Sequence, residues 1–321
     1  MTEVRQFQIT HRAMGTIMTH KAFGGEAQHC LTVVNEEIDR LERLLSRFIP
    51  ESEVSKINDG SGISSGETLS QPVFEVLMQS VEISERARGL FDVTIGPLVD
   101  LWCQSKVSGC PPSQENIDLT LTLVNTQDLI LDPYRQTARL LLPGQAIDLG
   151  GIGKGYAGDQ VTRLFREFGG TSAFSNIGGN VVTVGAKPDG SRWRVGIQHP
   201  RQPQEVIGAV AVTDRTVVTS GDYQRSYLPS RDYRYHHILD PRTGFPAQSG
   251  LASVTIVAEQ GIVADALSTT LFIAGLEGAM EILSDFPGVE AVFIDRDLQV
   301  FVTSGLETCF HPQTNVVTNK I

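Results

Sequence analysis

The chain has 321 residues, enough for one large domain or two modest ones around a sizeable core. Its 26 Lys and Arg stand against 37 Asp and Glu, and a net charge of −11 with no dense basic run argues against nucleic acid as a partner. Hydrophobic residues at 40% and charged residues at 20% are the proportions of a folded soluble protein, while 31 glycines exceed the typical share of roughly 7%, so their placement matters.

Residues 1–20 carry Glu3, Arg5, His11 and Arg12 and no apolar run of signal-peptide length. Later apolar stretches stop short of the ~20 residues that cross a bilayer. A soluble, cytoplasmic protein without a transmembrane segment is expected, or a periplasmic one if a leader has been removed. Cys30, Cys103, Cys110 and Cys309 are scattered without a CxxC pair, which suits reduced thiols better than disulfides or a zinc site.

Residues 6–23 read as one or two strands broken at Met14-Gly15. Over 27–47, Leu31, Val34, Ile38, Leu41 and Leu45 recur every three or four residues and predict a helix. The Ser- and Gly-rich 51–70 reads as a loop. A second helix is expected at 72–88, with proline in its first turn and Gly89 behind it. The pattern between 102 and 125 is irregular. Short strands are expected at 129–131 and 138–142, then a helix at 156–168 closed by Gly169-Gly170, then strands at 172–177, 181–185, 193–198, 207–212 and 216–220. A strand at 252–257 precedes helices at 261–274 and 276–286, and a strand at 291–294 follows. Without strict βαβ alternation, this mixture predicts an α+β (mixed α/β) fold of two packed lobes.

Between a strand and a helix lie Asp148, Gly150, Gly151, Gly153, Lys154, Gly155, Gly158 and Asp159. Glycines there let backbone N–H groups approach a ligand, the helix N-terminus favours an anionic phosphate, and Lys154 adds positive charge. A Walker A loop requires Ser or Thr where Gly155 stands. Gly153, Gly155 and Gly158 match GxGxxG, but 172–180 offers no acidic residue for a ribose, which disfavours a Rossmann nicotinamide site. A tight connection without any ligand fits the same residues. Asp265 and Thr269, four apart at the start of a helix, project from one face and offer two oxygen donors to a hard cation such as Mg²⁺, although ordinary capping uses the same spacing. Asp240-Pro241 and Thr243-Gly244 mark a turn after His236 and His237, and such a turn could present one of two adjacent histidines as a general base, although a structural or surface histidine fits the same pattern.

Together and in this order, the segments resemble the ApbE family, the FAD:protein FMN transferases. The resemblance rests on Met14-Gly15-Thr16, on 46–53 with Asn58, on Phe91, Asp92, Thr94, Gly96 and Pro97, on the 148–159 turn, on Asn176 to Asn180, on 219–223, on the His237 segment and on 264–269. It covers about 14–274. It implies a T-fold-related, two-lobed single domain over 1–321, whose core at about 14–274 is completed by 275–321. It also implies that FAD is bound and its pyrophosphate cleaved with Mg²⁺. FMN is then joined through a phosphoester to a Thr or Ser hydroxyl of an acceptor flavoprotein, and AMP is released.

Carried over to this sequence, the resemblance implies that Met14 and Phe48 pack on the flavin, where the family often has Tyr at the second position. Asn58 and Asp92 organise the pocket. Lys154 holds phosphate, and Gly178, Gly179, Ser220, Gly221 and Asp222 also belong to the FAD site. Gly151, Asp265 and Thr269 are the implied metal ligands. His237, and not His236, matches the catalytic histidine. An FAD pyrophosphatase yielding FMN and AMP fits the same residues, whereas Asp265, Thr269 and His237 argue against a non-catalytic flavin-binding or storage protein, which needs no metal at the pyrophosphate.

Overall fold

A computed structural model describes residues 5–63, 65–224, 226–228, 235–314 and 316–321. The chain opens with an antiparallel hairpin, β1 (Gln6–Ala13) and β2 (Thr16–Phe23), in register from Gln6 opposite Phe23 to Ala13 opposite Thr16. Met14 and Gly15 form its two-residue turn with φ of 48° and 70°. Both values are left-handed, as the twist of a strand pair demands of so short a turn. Glycine adopts that region freely, whereas a residue with a side chain does so at roughly 1–2 kcal/mol.

Helix α1 (Ala27–Leu45) buries Leu31, Val34, Ile38, Leu41 and Leu45 along one stripe, as their spacing predicts. The stretch expected as a loop at 51–70 contains a short helix, α2 (Glu53–Asp59), and a two-residue strand, β3 (Glu67–Thr68). Ser52 caps α2 by accepting the Ser55 N–H at 2.9 Å, a start signal that the polar composition of the segment obscures. Helix α3 (Gln71–Arg86) begins with proline in its first turn. The irregular region conceals two more helices, α4 (Gly96–Ser108) and α5 (Gln114–Leu121). They have a small core of their own, in which Leu98, Trp102 and Ile117 meet Leu239, so few apolar residues from each helix are needed and no long period develops.

Strands β4 (Leu129–Asp132) and β5 (Thr137–Leu140) join β3 in a small sheet. Helix α6 (Gly153–Glu167) starts three residues before the expected 156 and takes Gly153 and Gly155 into its first turn. Strands β6 (Ala173–Ile177), β7 (Asn180–Val184), β8 (Trp193–His199), β9 (Gln202–Val212), β10 (Thr216–Gly221), β11 (Ser226–Leu228), β12 (Tyr235–His236) and β13 (Leu251–Ala258) follow. β9 begins earlier than expected because its first five residues are exposed and show no apolar alternation.

Helix α7 (Gly261–Leu283) runs where two helices are expected, with Gly275 between them in a non-helical conformation at φ 72° and ψ 174°. Among the described residues it alone is long and apolar enough to cross a membrane, yet most of it is buried inside the protein, as a core helix apolar on all sides should be. The chain closes with β14 (Glu290–Asp295), β15 (Val300–Val302), β16 (Phe310–Pro312) and β17 (Thr318–Lys320). All four cysteines are free.

Nine strands form one sheet in the order β1-β2-β6-β7-β10-β13-β14-β15-β17, with β15 and β17 parallel. Period-two alternation sorts its side chains between two cores. Val218, Val254, Ile256 and Phe293 face the helices, packing with Leu77, Leu267 and Phe272. Val217, Val257, Val292 and Ile294 face the opposite side, where the three-stranded sheet β16-β9-β8 covers them with Trp193, Val195, Ile197 and Val210. β13 is therefore buried at all eight residues. A third core packs α1 and α6 on the β1, β2, β6 and β7 end. This is the mixed helix-and-sheet architecture that the element order predicts.

Candidate active site

Helices α6 and α7 approach backbone to backbone at their N-termini. A Cβ on Gly155 would collide with the Gly261 carbonyl and lie 2.6 Å from Asp265 Cβ, and one on Gly261 would lie 2.5 Å from the Gly155 carbonyl oxygen. One turn further along α6, Asp159 caps α7 by accepting the N–H of Gly261 at 2.5 Å and of Ile262 at 2.9 Å. Burial pushes the Asp159 carboxyl up to about 6; its two backbone donors oppose that shift and the nearby Asp265 adds to it.

The close crossing gathers polar groups from several elements. Buried Asp265 accepts the Gly155 N–H through Oδ2 at 2.8 Å, and its Oδ1 lies 3.5 Å from Lys154 Nζ. Thr269, one turn later, is adjacent to Gly151, where an added Cβ would lie 3.7 Å from Thr269 Oγ1. From the end of β10, Ser220 brings its hydroxyl within 3.4 Å of Thr269 Oγ1 and 2.8 Å of Ser268 Oγ. Met14 reaches the same place from the β1–β2 turn, its methyl carbon 3.8 Å from where a Gly153 Cβ would stand. Gly151, Lys154, Ser220, Asp265, Thr269 and Met14 are thus brought together. No group of three His, Cys, Asp or Glu side chains gathers as a metal site among the described residues. A cation here would rest on one carboxylate, a hydroxyl and a backbone carbonyl, with water or phosphate completing its shell. Such a donor set fits a hard ion.

The adjacent histidines are sorted by their surroundings. His236 is buried, its Nδ1 accepting the Ile238 N–H at 3.3 Å and its Nε2 lying 3.0 Å from the Ala247 carbonyl. Its ring edge meets Phe272 at 5.4 Å between centroids. His237 is half-buried. Gly244 closes the following turn at φ 72°, where a Cβ would lie 2.5 Å from Ile117.

Residues 14–293 match the ApbE family. The chain belongs to that family. It is 32% identical over 313 residues to an FAD:protein FMN transferase of Klebsiella pneumoniae, covering 97% of this chain and 96% of that one. It is 30% identical to another so named from Treponema pallidum, over 94% and 88% of the two chains. The crystal structure of the ApbE protein of Thermotoga maritima is similar at a TM-score of 0.87 and 29% identity, covering 95% of this chain and 99% of that one.

The remaining motif residues of this ApbE chain have other partners, and no hydrogen bond among those described joins them to that cluster. Gly178 and Gly179 turn β6 into β7 with φ of 60° and 100°, Gly179 donating to Asn176 Oδ1 at 2.8 Å, and Thr16 occupies the space a side chain at 178 would need. Asn58 engages both amide atoms with the Ile147 backbone, donating at 3.1 Å and accepting at 2.7 Å. Asp92 accepts from the N–H and hydroxyl of Thr94 and from the Thr126 N–H. The polar atoms of both residues therefore hold loops in place. Asp222, after Gly221, is buried and takes a two-pronged bond from Arg201 at 2.6 and 3.0 Å. Phe48 is 81% exposed, with the Arg47 guanidinium 5.6 Å from its ring centre.

Arg47, within the 46–53 segment but given no role there, donates to Asp148 at 3.1 Å and to the Gly96 carbonyl at 3.3 Å while Asp148 tightens the glycine turn by accepting the Gly150 N–H at 2.7 Å. Trp102 and Arg201 lack any local signal, and the 148–159 motif that contains Asp159 does not show its capping role, because each acts on a partner distant in the chain.

Proposed function

We propose that the protein is a Mg²⁺-dependent FAD:protein FMN transferase that joins FMN through a phosphoester to a Thr or Ser hydroxyl of an acceptor flavoprotein and releases AMP. The convergence of Gly151, Lys154, Asp265 and Thr269 where the N-termini of α6 and α7 meet carries this reading, together with relatives named for that reaction. FAD is anionic and the chain has a net charge of −11, so binding calls for local positive potential. Lys154 and the N-terminus of α6 contribute to it, whereas the N-terminus of α7 is already capped by Asp159. Asp265, Thr269 and the Gly151 carbonyl would hold Mg²⁺, which when bound neutralises charge on the pyrophosphate. Met14 and Phe48 would pack on the isoalloxazine.

The acceptor hydroxyl oxygen attacks the phosphorus on the FMN side. A new O–P bond forms, the pyrophosphate P–O bond breaks and AMP leaves with the bridging oxygen. The hydroxyl proton passes to His237. His237 is favoured over its neighbour because it matches the family's histidine and is half-buried, whereas His236 is buried.

Incubating the protein with FAD, Mg²⁺ and a flavoprotein presenting the Thr or Ser should add the mass of an FMN phosphoester to that flavoprotein. His237→Ala should bind FAD and leave the acceptor unmodified. FMN and AMP appearing without an adduct would instead mark a pyrophosphatase, and persistently intact FAD a storage protein.

A further inference from the structure

Two-residue hairpin turns with both central residues left-handed favour Asn-Gly, yet this one places Met14 first at φ 48°. A broken local rule of this kind persists where the surroundings impose the conformation and function uses it. Here the surroundings are visible. Glu42, on the α1 face next to the β1–β2 hairpin, accepts the Met14 N–H through Oε1 at 2.8 Å. With its backbone held, the Met14 side chain packs between the main core and the α1–α6 core, and its methyl carbon stands 3.8 Å from the Cβ position of Gly153. An asparagine would satisfy the turn but could not reach the start of α6.

We propose that Glu42 is a positioning residue that acts through Met14: its carboxylate fixes the left-handed turn so that the thioether covers the start of α6, and the pair sets flavin affinity rather than turnover. The affinity half of this proposal rests on the flavin-transferase reading of the site. Loss of this part-buried hydrogen bond should weaken FAD binding by about tenfold. Turnover at saturating FAD should stay within about twofold, the pattern of an interaction equally present in ground and transition states.

The experiment uses the full chain carrying ¹³C-methyl methionine, whose five methionines give few signals, with Met14 assigned by Met14→Leu. In the flavin-free protein the Met14 methyl should give a dispersed, ordered signal. Glu42→Ala should move it toward the mobile, averaged position, and Glu42→Gln, which keeps a carbonyl acceptor, should restore it. FAD titrated by fluorescence quenching should bind about tenfold more weakly to Glu42→Ala and normally to Glu42→Gln. The Glu42→Ala effect on binding should vanish in a Met14→Ala background, because coupled residues are non-additive. An unchanged Met14 signal in Glu42→Ala, or the same loss of affinity with and without Met14, would overturn the proposal. A wild type that binds no FAD would overturn the transferase reading and the affinity half with it, while the methyl spectrum would still decide the Glu42–Met14 link.

Discussion

The indole N–H of Trp102 donates to the Gly244 carbonyl at 2.7 Å, tying α4 to the turn that follows His237, 142 residues on. Trp102 is fully buried, and the rings of Tyr235 and Phe245, which bracket that turn, lie 5.6 and 5.8 Å from it. One indole thus holds the His237 segment from both sides. Trp102→Phe should keep much of the packing and lose the hydrogen bond, lowering stability by about 1–3 kcal/mol. Acceptor modification should fall further than FAD binding. Urea unfolding, FAD titration and adduct mass spectrometry check this; an equal loss of binding and transfer would place the defect in the fold instead of the turn.

Gly155→Ala should destabilise the protein even though alanine is the better helix former by about 1 kcal/mol. The added methyl would meet the Gly261 carbonyl and stand 2.6 Å from Asp265 Cβ, so α6 and α7 would have to separate. Overpacking of this kind costs about 1–3 kcal/mol or more. Thermal unfolding should show a lower midpoint, and a raised one would mean that the crossing is looser than described.

His20 should make the fold sensitive to mild acid. It is fully buried, with Nδ1 2.9 Å from Ser175 Oγ and its ring stacked on His11 at 5.3 Å. Burial first, and His11 second, push its imidazole down to about 4. Because the unfolded chain binds that proton near 6.5, the stability from neutral His20 is full above pH 6.5 and is lost as pH falls toward 4, by roughly 3 kcal/mol. Asp159 works in the opposite sense, since its raised carboxyl favours the folded state on the acid side of about 6. His20→Asn, which does not titrate, should therefore lose less stability than wild type between pH 6.5 and 4. Denaturant midpoints at several pH values test this, and parallel curves for the two proteins would refute it.

Arg201→Ala should leave the buried Asp222 carboxylate without its two-pronged partner. Removing one member of such a pair costs about 3–5 kcal/mol. Adding Asp222→Asn should recover part of that loss, because the stranded charge is gone. A double-mutant cycle in urea measures the coupling, and simple additivity would show that the pair does not act as a unit.

The legible parts of this protein are those whose signal is local. The spacing from Leu31 to Leu45 predicts α1 because one face of a helix repeats every three or four residues, and the alternation in 252–257 predicts β13 because a strand repeats every two. α4 and α5 carry no comparable period, since Leu98, Trp102 and Ile117 need only a small core shared with Leu239. Gly151, Lys154, Asp265 and Thr269 are recognisable by residue type and spacing, and the structure brings them to one place. For Asn58, Asp92 and Asp222, residue type shows only that a polar group is present. Its partners, Ile147, Thr94 with Thr126, and Arg201, are visible only in three dimensions.

By itself, then, the amino-acid sequence determined the family and the mixed helix-and-strand composition and pointed to the chemical groups of a candidate site, because motifs and periodicities are properties of neighbouring residues. Tertiary structure alone decided that Asp159 caps α7, that Glu42 holds Met14, that Arg201 neutralises Asp222 and that Trp102 anchors Gly244. Each of those contacts joins residues tens to more than a hundred positions apart. Packing, and not local preference, sets them.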